Sequence, residues 1–196
     1  MTTVAVTGHR PGKLWGYDLS DPHYAVVSRA LSVALDQVGA TRLISGMALG
    51  FDTVAAHVAL RDGIPLTAAV PFKGQESKWG WASQWEYRQL LEAADEIEYV
   101  TSGGYTPYAM AWRNEWMVKN ADVVLALWDG SKGGTKNTVD HAIKLLKPVW
   151  TLDPADVTEK GSPGFQRMYV DINRDVRRGE TLALDLWGQG AEQEVR

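Results

Sequence analysis

The residues that could do chemistry in this sequence are concentrated in four short loops, each of which follows a short apolar segment. Two of these loops are rich in glycine and span residues 45–52 and 129–135. Glycine lets a backbone approach a ligand closely, and the free N–H groups at the start of a following helix attract an anion. Each loop therefore predicts a phosphate site, with a plain turn between a strand and a helix as the alternative.

The other two loops add a cation and aromatic surface. His9 and Arg10 follow the first apolar segment directly, where a guanidinium can bind a phosphate or form a surface salt bridge. Phe72, Gln75 and Trp79 follow the third apolar segment. Because aromatic faces stack on nucleobases, this segment predicts a wall for a base, and packing in a core or a subunit interface is the alternative.

A predicted helix contributes Arg113 and Asn114, of which Arg113 is either a second anion contact or an exposed helix residue. Neither glycine-rich loop has the spacing of a Walker A loop or of a dinucleotide-binding fingerprint. His57 stands alone on its predicted helix, where a histidine more often has a structural role than a catalytic one. These residue types therefore predict the binding of an anion and leave the catalytic residues unknown.

The composition of the 196 residues excludes several kinds of site. The sequence has no cysteine, which rules out disulfide scaffolds, thiolate zinc sites, iron–sulfur clusters and cysteine nucleophiles, and we expect no metal. Lys and Arg total 20 against 24 Asp and Glu, a net charge of −4 that disfavours nucleic acid as a partner. No apolar run approaches the roughly 20 residues of a membrane helix, and the first residues do not resemble a signal peptide. We expect a cytoplasmic protein without a membrane partner.

Short β-rich segments alternate with longer helical segments through most of the chain. The predicted strands cover residues 3–7, 42–45, 66–72, 97–100, 123–128 and 149–152. Most are continuously apolar, which is typical of parallel strands covered on both faces. The sequence therefore predicts an α/β fold, a Rossmann-like doubly wound and mainly parallel sheet with helices on both faces.

This fold would bring the four loops together, because ligands bind outside the carboxyl ends of parallel strands. We expect Arg10, Gly46, Phe72 and Gly134 to converge at one edge of the sheet, with both glycine-rich helix starts pointing into one pocket. Gly134 is expected to need a conformation or clearance that a side chain would block. Asp52 is expected to cap its helix.

Three further helix starts are recognisable. Asp21 precedes Pro22 at the first of them, and residues 83–86 have the spacing of a capping box. Residues 106–107 repeat the cap-then-proline signal. The helix that follows is predicted to place four residues on one face, namely Ala109, Trp112, Trp116 and Met117.

The alternation of strands and helices weakens after residue 153. Residues 165–187 are predicted to form one or two helices that cover the sheet, and the polar tail from residue 188 is predicted to fray. We therefore expect a Rossmann-like domain over residues 1–153 and a C-terminal extension over residues 154–196 that packs on it.

Several motifs resemble those of the SLOG superfamily, which includes the DNA-processing protein DprA, the YpsA-like proteins and the LOG phosphoribohydrolases. Residues 44–52, followed by residues 55–57 and 59–60, resemble the characteristic motif of the superfamily, and residues 113–114 and 133–135 resemble its later motifs. Residues 7–11, together with Pro71, Phe72, Gln75 and Trp79, resemble the YpsA-like branch.

The resemblance covers roughly residues 3–152 and implies a Rossmann-like domain that binds nucleotides or nucleotide-derived molecules, often as a homo-oligomer. In LOG enzymes a glutamate shortly after the Gly-Gly-x-Gly-Thr segment serves hydrolysis, but Asn137 and Thr138 occupy these positions here. Neither residue can act as a general base in the way a carboxylate does. The carboxylates that remain as substitutes are Asp52, Glu115, Asp129 and Asp140.

Three functions stay open on this basis. We favour a binding or sensor role for a nucleotide-like small molecule, such as a nucleoside monophosphate, ADP-ribose or an NAD-derived signal. The alternatives are cleavage of the N-glycosidic bond of a nucleotide and DprA-like binding of single-stranded DNA, which needs a basic groove. The residues expected to bind the ligand are Gly8, His9, Arg10, Ser45, Gly46, Met47, Gly50, Asp52, Phe72, Gln75, Trp79, Arg113, Asn114, Asp129, Gly130, Gly133, Gly134, Thr135 and Asn137.

Overall fold

The computed structural model describes residues 1–106, 108–170 and 176–182, which contain one eight-stranded sheet. The strands are β1 (Thr2–Gly8), β2 (Ala40–Ser45), β3 (Leu66–Val70), β4 (Glu96–Tyr99), β5 (Val123–Leu127), β6 (Val149–Leu152), β7 (Phe165–Val170) and β8 (Val176–Leu182). Their order is β4-β3-β2-β1-β5-β6-β7-β8. Strands β1 to β6 run parallel, and β7 and β8 extend the β6 edge in antiparallel fashion.

Five α-helices in the described residues cover the sheet. They are α1 (Pro22–Gln37), α2 (Phe51–Asp62), α3 (Trp81–Ala93), α4 (Ala109–Lys119) and α5 (Gly134–Lys144). No helix of residues 1–106, 108–170 and 176–182 is long and apolar enough to cross a membrane.

Alternation along the strands divides the core into two layers. Val4 and Val6 of β1 point into a cluster that includes side chains of α1, α2 and α3. Ala5, between them, points into a second cluster that includes side chains of α4 and α5. All three residues are buried, so helices cover both faces of the sheet. The predicted Rossmann-like fold, with its six parallel strands, is therefore confirmed.

The strand order reverses direction beside β1. The chain runs outward from β1 through β2, β3 and β4, and then returns to place β5 on the other side of β1. In the paired register Gly8 lies next to Leu127, so the carboxyl ends of β1 and β5 are adjacent. A crevice opens at such a reversal because the two following helices leave in opposite directions. This topology positions the candidate site.

The structure confirms one of the predicted helix starts and contradicts another. Asp21 caps α1 by accepting a hydrogen bond of 3.0 Å from the backbone N–H of His23, with Pro22 at the first helical position, as predicted. The capping box predicted at residues 83–86 is wrong, because α3 already begins at residue 81 after Gly80. The third signal, at residues 106–107, includes a residue outside the described ones, and α4 begins after Tyr108.

The buried face of α4 also differs from the prediction. Ala109 and Met117 are buried as expected, but Trp112 is 49% exposed. Arg113 takes the inward position instead and is buried in contact with the loop that follows β2. A helix can bury a guanidinium when protein acceptors meet it, and hydrophobicity patterns do not register such a residue.

The helices predicted for residues 165–187 are wrong where the structure describes them. Residues 165–170 and 176–182 form β7 and β8, which pair with each other and attach to β6. Phe165 is completely buried against the layer of α1 and α2, so the strand is held by its own core contact. The tail that was predicted to fray, residues 188–196, lies outside the described residues.

Candidate functional site

A cavity of about 330 Å³ opens where the topology places the crevice, at the carboxyl ends of β1 and β5. Four parts of the chain meet there: the β1 loop, the segment from the loop after β2 to the start of α2, the inner face of α4, and the loop before α5. The lining residues are Thr7, Gly8, His9, Arg10, Gly12, Lys13, Ala48, Asp52, Met110, Arg113, Asn114, Ser131, Lys132, Gly133, Gly134 and Thr135. Its size falls within the range of small-molecule sites.

The start of α5 forms one wall of this cavity. Gly133 precedes the helix and has no side chain to cap it, so among the described residues the leading N–H groups have no side-chain partner. Gly133 has φ of 148° and ψ of −167°, a backbone conformation that essentially only glycine adopts. This geometry is that of an anion-binding helix start, as the sequence predicted for this loop.

Gly134 does not have the restriction that was expected of it. A Cβ built at Gly134 would meet only Nδ2 of Asn114, at 4.0 Å, and its φ is not positive. The conformational requirement falls on Gly133 instead, because the chain must turn sharply before it enters the helix. A side chain at position 134 would therefore reach into the cavity without straining the backbone.

Arg113 and Asp52 form a buried ion pair beneath the cavity. Nη1 of Arg113 lies 3.5 Å from Oδ2 of Asp52 and donates a hydrogen bond to the carbonyl of Gly46. Burial raises the pKa of the Asp52 carboxyl, and Arg113 and Arg10 act in the opposite direction. Burial likewise lowers the pKa of the Arg113 guanidinium, against the attraction of Asp52. Nε of Arg113 is buried without an acceptor among the described residues.

Asp52 does not cap α2, contrary to the expectation. The cap residue is Gly50, and Asp52 stands within the first turn, at the second helical position. Its Oδ2 accepts a long hydrogen bond of 3.4 Å from the N–H of Ala48 and faces Arg113. The carboxylate therefore balances a buried cation, a role that the capping pattern did not distinguish.

His9 and Asp129 connect the β1 loop to the loop before α5. Nε2 of His9 lies 2.7 Å from Oδ1 of Asp129, and His9 is only 6% exposed. Burial acts to raise the pKa of the Asp129 carboxyl, but hydrogen bonds from Ser131 and His9 together hold it well below its ordinary value. The carboxylate is therefore ionised at neutral pH and fixes the imidazole beside the cavity.

Three cations surround the opening of the cavity: Arg10, Lys13 and Lys132. Lys13 donates a hydrogen bond of 2.5 Å to Oγ of Ser131, which joins the β1 loop to the loop before α5. The sequence analysis named Arg10 and missed both lysines. They lie beside or within loops that it singled out, so the signal that could have found them is a basic residue flanking each glycine-rich turn.

Four predicted site residues lie near the cavity without lining it. Oγ of Ser45 bonds the backbone on both sides of its loop, to the carbonyl of Asp52 and the N–H of Met47. Met47 is buried with φ of 55°, and Gly50 precedes α2. Gly46, the fourth, carries the carbonyl that receives Arg113. These residues shape the loop after β2, which lies next to the cavity.

The segment of Phe72, Gln75 and Trp79 does not form a wall of the cavity, contrary to the expectation. Phe72 and Gln75 are 7% exposed, and Nε2 of Gln75 donates to the carbonyl of Met47 and to the hydroxyl of Tyr87. Trp79 packs edge-on against Tyr87 with ring centroids 5.3 Å apart. The aromatic surface is used in packing, which the sequence analysis gave as the alternative.

A second cavity of about 460 Å³ adjoins the first, between α4 and α5. The two share Met110, Asn114 and Gly134 as lining residues, and Asn137 lines only the second. Asp129 and Gly130 lie in the loop before α5 and line neither of the two. Among the described residues, no group of three or more histidines and carboxylates is arranged to hold a metal ion.

Solved structures of other proteins share the fold at low sequence identity. The DNA processing protein A (DprA) of Streptococcus pneumoniae matches with a TM-score of 0.57 at 19% identity, over 76% of this chain and 50% of that one. This chain thus spans about half of that protein. A molybdenum cofactor binding protein from Rippkaea orientalis matches with a TM-score of 0.51 at 20% identity, over 78% and 76% of the two chains.

Relatives in sequence are found among bacilli. The SPbeta prophage-derived protein YoqJ of Bacillus subtilis is 34% identical over 131 residues, 58% of this chain and 77% of that protein. A UPF0398 protein of Bacillus licheniformis is 33% identical over 171 residues, 80% of this chain and 93% of that protein. The model of the YspA SLOG family matches residues 4–153, which contain every predicted site residue. The chain therefore belongs to the YspA SLOG family, as its motifs predicted.

Proposed function

We propose that the cavity between β1 and β5 binds a nucleotide-like small molecule, with a phosphate of that molecule at the start of α5. The observation that carries this proposal is the uncapped first turn of α5, which opens into a cavity rimmed by cations. Helix N–H groups and a positive helix end together favour a negatively charged ligand group.

The charges around the cavity support an anionic ligand. Within the described part of the chain, Arg10, Lys13 and Lys132 form no ion pair. Asp52, the carboxylate that lines the cavity, is already engaged by Arg113. The rim therefore has an unbalanced positive charge although the whole chain has a net charge of −4. A phosphate-bearing ligand would balance that charge.

The shape of the site favours a small molecule over a nucleic acid strand. The cavity is an open crevice of about 330 Å³ with a neighbour of about 460 Å³, which would accommodate the rest of a nucleotide-sized ligand. Proteins of the same fold include one described as binding the molybdenum cofactor and one described by its single-stranded DNA binding mode. Strand binding needs a continuous basic groove with stacking aromatics, whereas Phe72 and Trp79 are engaged in packing.

Gly134→Val is the variant that tests this proposal. A side chain at position 134 has room in the backbone but projects towards Asn114 and the cavity, so the fold should stay intact while the phosphate position is filled. We expect calorimetry to show a loss of affinity of about 100-fold or more for whichever nucleotide binds in a native mass spectrometry screen.

Gly103→Val is the matched control, because a Cβ at Gly103 meets nothing within 4 Å among the described residues and Gly103 does not line the cavity. Its affinity should equal that of the wild-type protein. Unchanged affinity in Gly134→Val, or strong binding of single-stranded DNA with no binding of any nucleotide, would refute the proposal. The same native mass spectra report the oligomeric state, where a homo-oligomer stays a prediction.

A further inference from the structure

We propose that this site is also hydrolytic, with His9 as the general base that activates a water molecule for attack on a phosphoanhydride bond. The inference rests on the proposed function, since the phosphate under attack is the one held at the start of α5. It is carried by the pair of His9 and Asp129, because His9 lines the same cavity as that helix start.

The hydrogen bond of the pair fixes which ring nitrogen carries the proton. Oδ1 of Asp129 lies 2.7 Å from Nε2 of His9, and an ionised carboxylate can only accept. The backbone N–H of Asp129 also approaches Nε2, at 3.2 Å, but the shorter contact with the charged group determines the tautomer. The proton is therefore on Nε2, and Nδ1 keeps its lone pair.

Nδ1 of His9 is the group that remains available to a ligand or to water. Among the described residues Nδ1 has no hydrogen-bond partner. It is also not among the fully buried side-chain atoms that lack a partner, so Nδ1 keeps some exposure to solvent. His9 also lines the cavity that holds the start of α5. An imidazole that lines a cavity, is oriented by a carboxylate through one nitrogen and keeps the other nitrogen without a partner has the arrangement of a general base.

The imidazole is held rigidly on both sides. The backbone N–H of His9 donates to the carbonyl of Leu127 at 3.2 Å, which continues the pairing of β1 with β5. Oδ1 of Asp129 accepts a second hydrogen bond of 2.8 Å from the N–H of Ser131. His9 directly follows β1 and Asp129 lies two residues after β5, so both are anchored close to paired strands.

Pairing with a carboxylate does not by itself mark a catalytic histidine in this chain. His23 pairs with Asp21 at 2.7 Å in a partly buried position, and His57 pairs with Glu86 at 2.9 Å at the surface. Of these three paired histidines, His9 alone lines the cavity that holds the start of α5. The distinction is one of position, and it supplies a control for the experiment below.

The hydrolysis requires only water and the phosphoanhydride as reactants. The water oxygen forms a bond to phosphorus, and its proton moves to Nδ1 of His9 while Nε2–H stays bonded to Asp129. The bond from phosphorus to the bridging oxygen breaks, and its electron pair leaves with the departing phosphate. The imidazolium then returns its proton to bulk water. The products are two phosphate groups and one proton.

A phosphoanhydride fits the lining better than a bond with a poor leaving group. A departing phosphate accepts the electron pair as a stable anion and needs no proton from a second acid. The carboxyl group that could serve as an acid among the described lining residues, Asp52, is bound to Arg113. The cations Arg10, Lys13 and Lys132, which form no ion pair in the described part of the chain, would stabilise the charge that develops on the leaving phosphate.

The test measures binding and turnover separately, with ADP and ADP-ribose as probes. We expect the wild-type protein to release phosphate or AMP in water labelled with oxygen-18, with one labelled oxygen in one product. His9→Asn should lower kcat by about 100-fold or more while its affinity for the probes changes less than about 3-fold. Asp129→Asn should lower kcat by an intermediate factor, and His57→Asn should leave it unchanged.

The outcomes separate the two proposals. Binding of a probe without any turnover, or turnover that survives in His9→Asn, overturns the hydrolytic role and leaves the binding site standing. The absence of nucleotide binding removes the proposed function itself. A loss of both binding and cooperative thermal unfolding in His9→Asn would show a purely structural role for His9, and would also overturn the inference.

Discussion

The floor of the cavity depends on the close approach of one side chain to one glycine. Arg113 reaches from α4 to the loop after β2, where it contacts the carbonyl of Gly46 and faces Asp52. A Cβ at position 46 would overlap Nη1 of Arg113 and lie 2.7 Å from Oδ2 of Asp52. Glycine at this position is therefore a requirement of the ion pair beneath the site.

Gly46→Ala should destabilise the protein by about 2 to 3 kcal/mol, because the methyl group displaces a buried guanidinium from its partners. Urea unfolding measures the change. The matched control is Gly103→Ala, where the added methyl meets nothing, and its stability should stay within about 0.5 kcal/mol of the wild-type value. Equal stabilities for the two variants would contradict the account of Gly46.

The acid sensitivity of the protein should depend in part on Asp129. Its pKa is lowered in the folded protein, so its contribution to stability is complete above the ordinary pKa of about 3.9 and is lost as the pH falls further. We expect Asp129→Asn to be less stable than the wild-type protein at neutral pH. The difference should shrink between about pH 5 and pH 2, as measured by chemical unfolding across that range. A difference that grows as the pH falls would contradict this expectation.

The spacing of residues in the sequence did not predict the exact roles of individual glycines and charged residues at the site. The sequence identified the loop before α5 as an anion site but assigned the strict glycine to position 134, whereas the positive φ belongs to Gly133. The sequence also allowed two interpretations of Arg113, an anion contact or an exposed helix residue, whereas the side chain is buried in the structure. Both outcomes depend on atoms brought in from distant parts of the chain.

At the scale of elements, the sequence predicted correctly those strands and helix starts that depend on residues adjacent in the chain. The six parallel strands follow from apolar runs, and the start of α1 follows from Asp21 and Pro22. The pattern at residues 83–86 matched a capping box by chance within α3. The pair β7 and β8 was missed because the sequence does not show its pairing with the edge of β6 or the burial of Phe165 against the core.

Asp21→Ala tests the cap of α1. The side chain accepts from the N–H of His23, and its loss leaves a donor of the first turn without a partner. We expect the free energy of unfolding to fall by about 1 kcal/mol. Asp36→Ala, at an exposed position near the end of the same helix, is the control and should be close to neutral. Equal effects of the two substitutions would show that the cap contributes nothing.

At the scale of the whole molecule, topology explains why part of the site was predictable. Arg10, Gly46 and Gly134 are far apart in sequence but follow β1, β2 and β5, whose carboxyl ends share one edge. Knowing the fold was enough to place their loops together. Phe72 also follows a strand, yet β3 lies two strands away from the reversal at β1, and its segment turns into packing around Tyr87. Distance from the reversal decided which loops reach the cavity.

The last prediction concerns residues 154–196, which we propose as an extension of the domain that ends at residue 153. Phe165 of this extension is completely buried, and its ring lies 6.3 Å from that of Phe51 at the start of α2. Since α2 begins directly behind the cavity, the extension and the site share one core.

Phe165→Ala should therefore lower the stability of the whole chain by about 3 kcal/mol, through the lost burial and the cavity left beside Phe51. Gln166→Ala, the next residue along β7 and only partly buried, should cost much less. Unfolding followed by far-ultraviolet circular dichroism should remain a single transition in both variants, because the extension unfolds together with the site. If Phe165→Ala instead melts a separate, weaker transition and leaves the main one unchanged, the extension packs as an independent unit and this prediction fails.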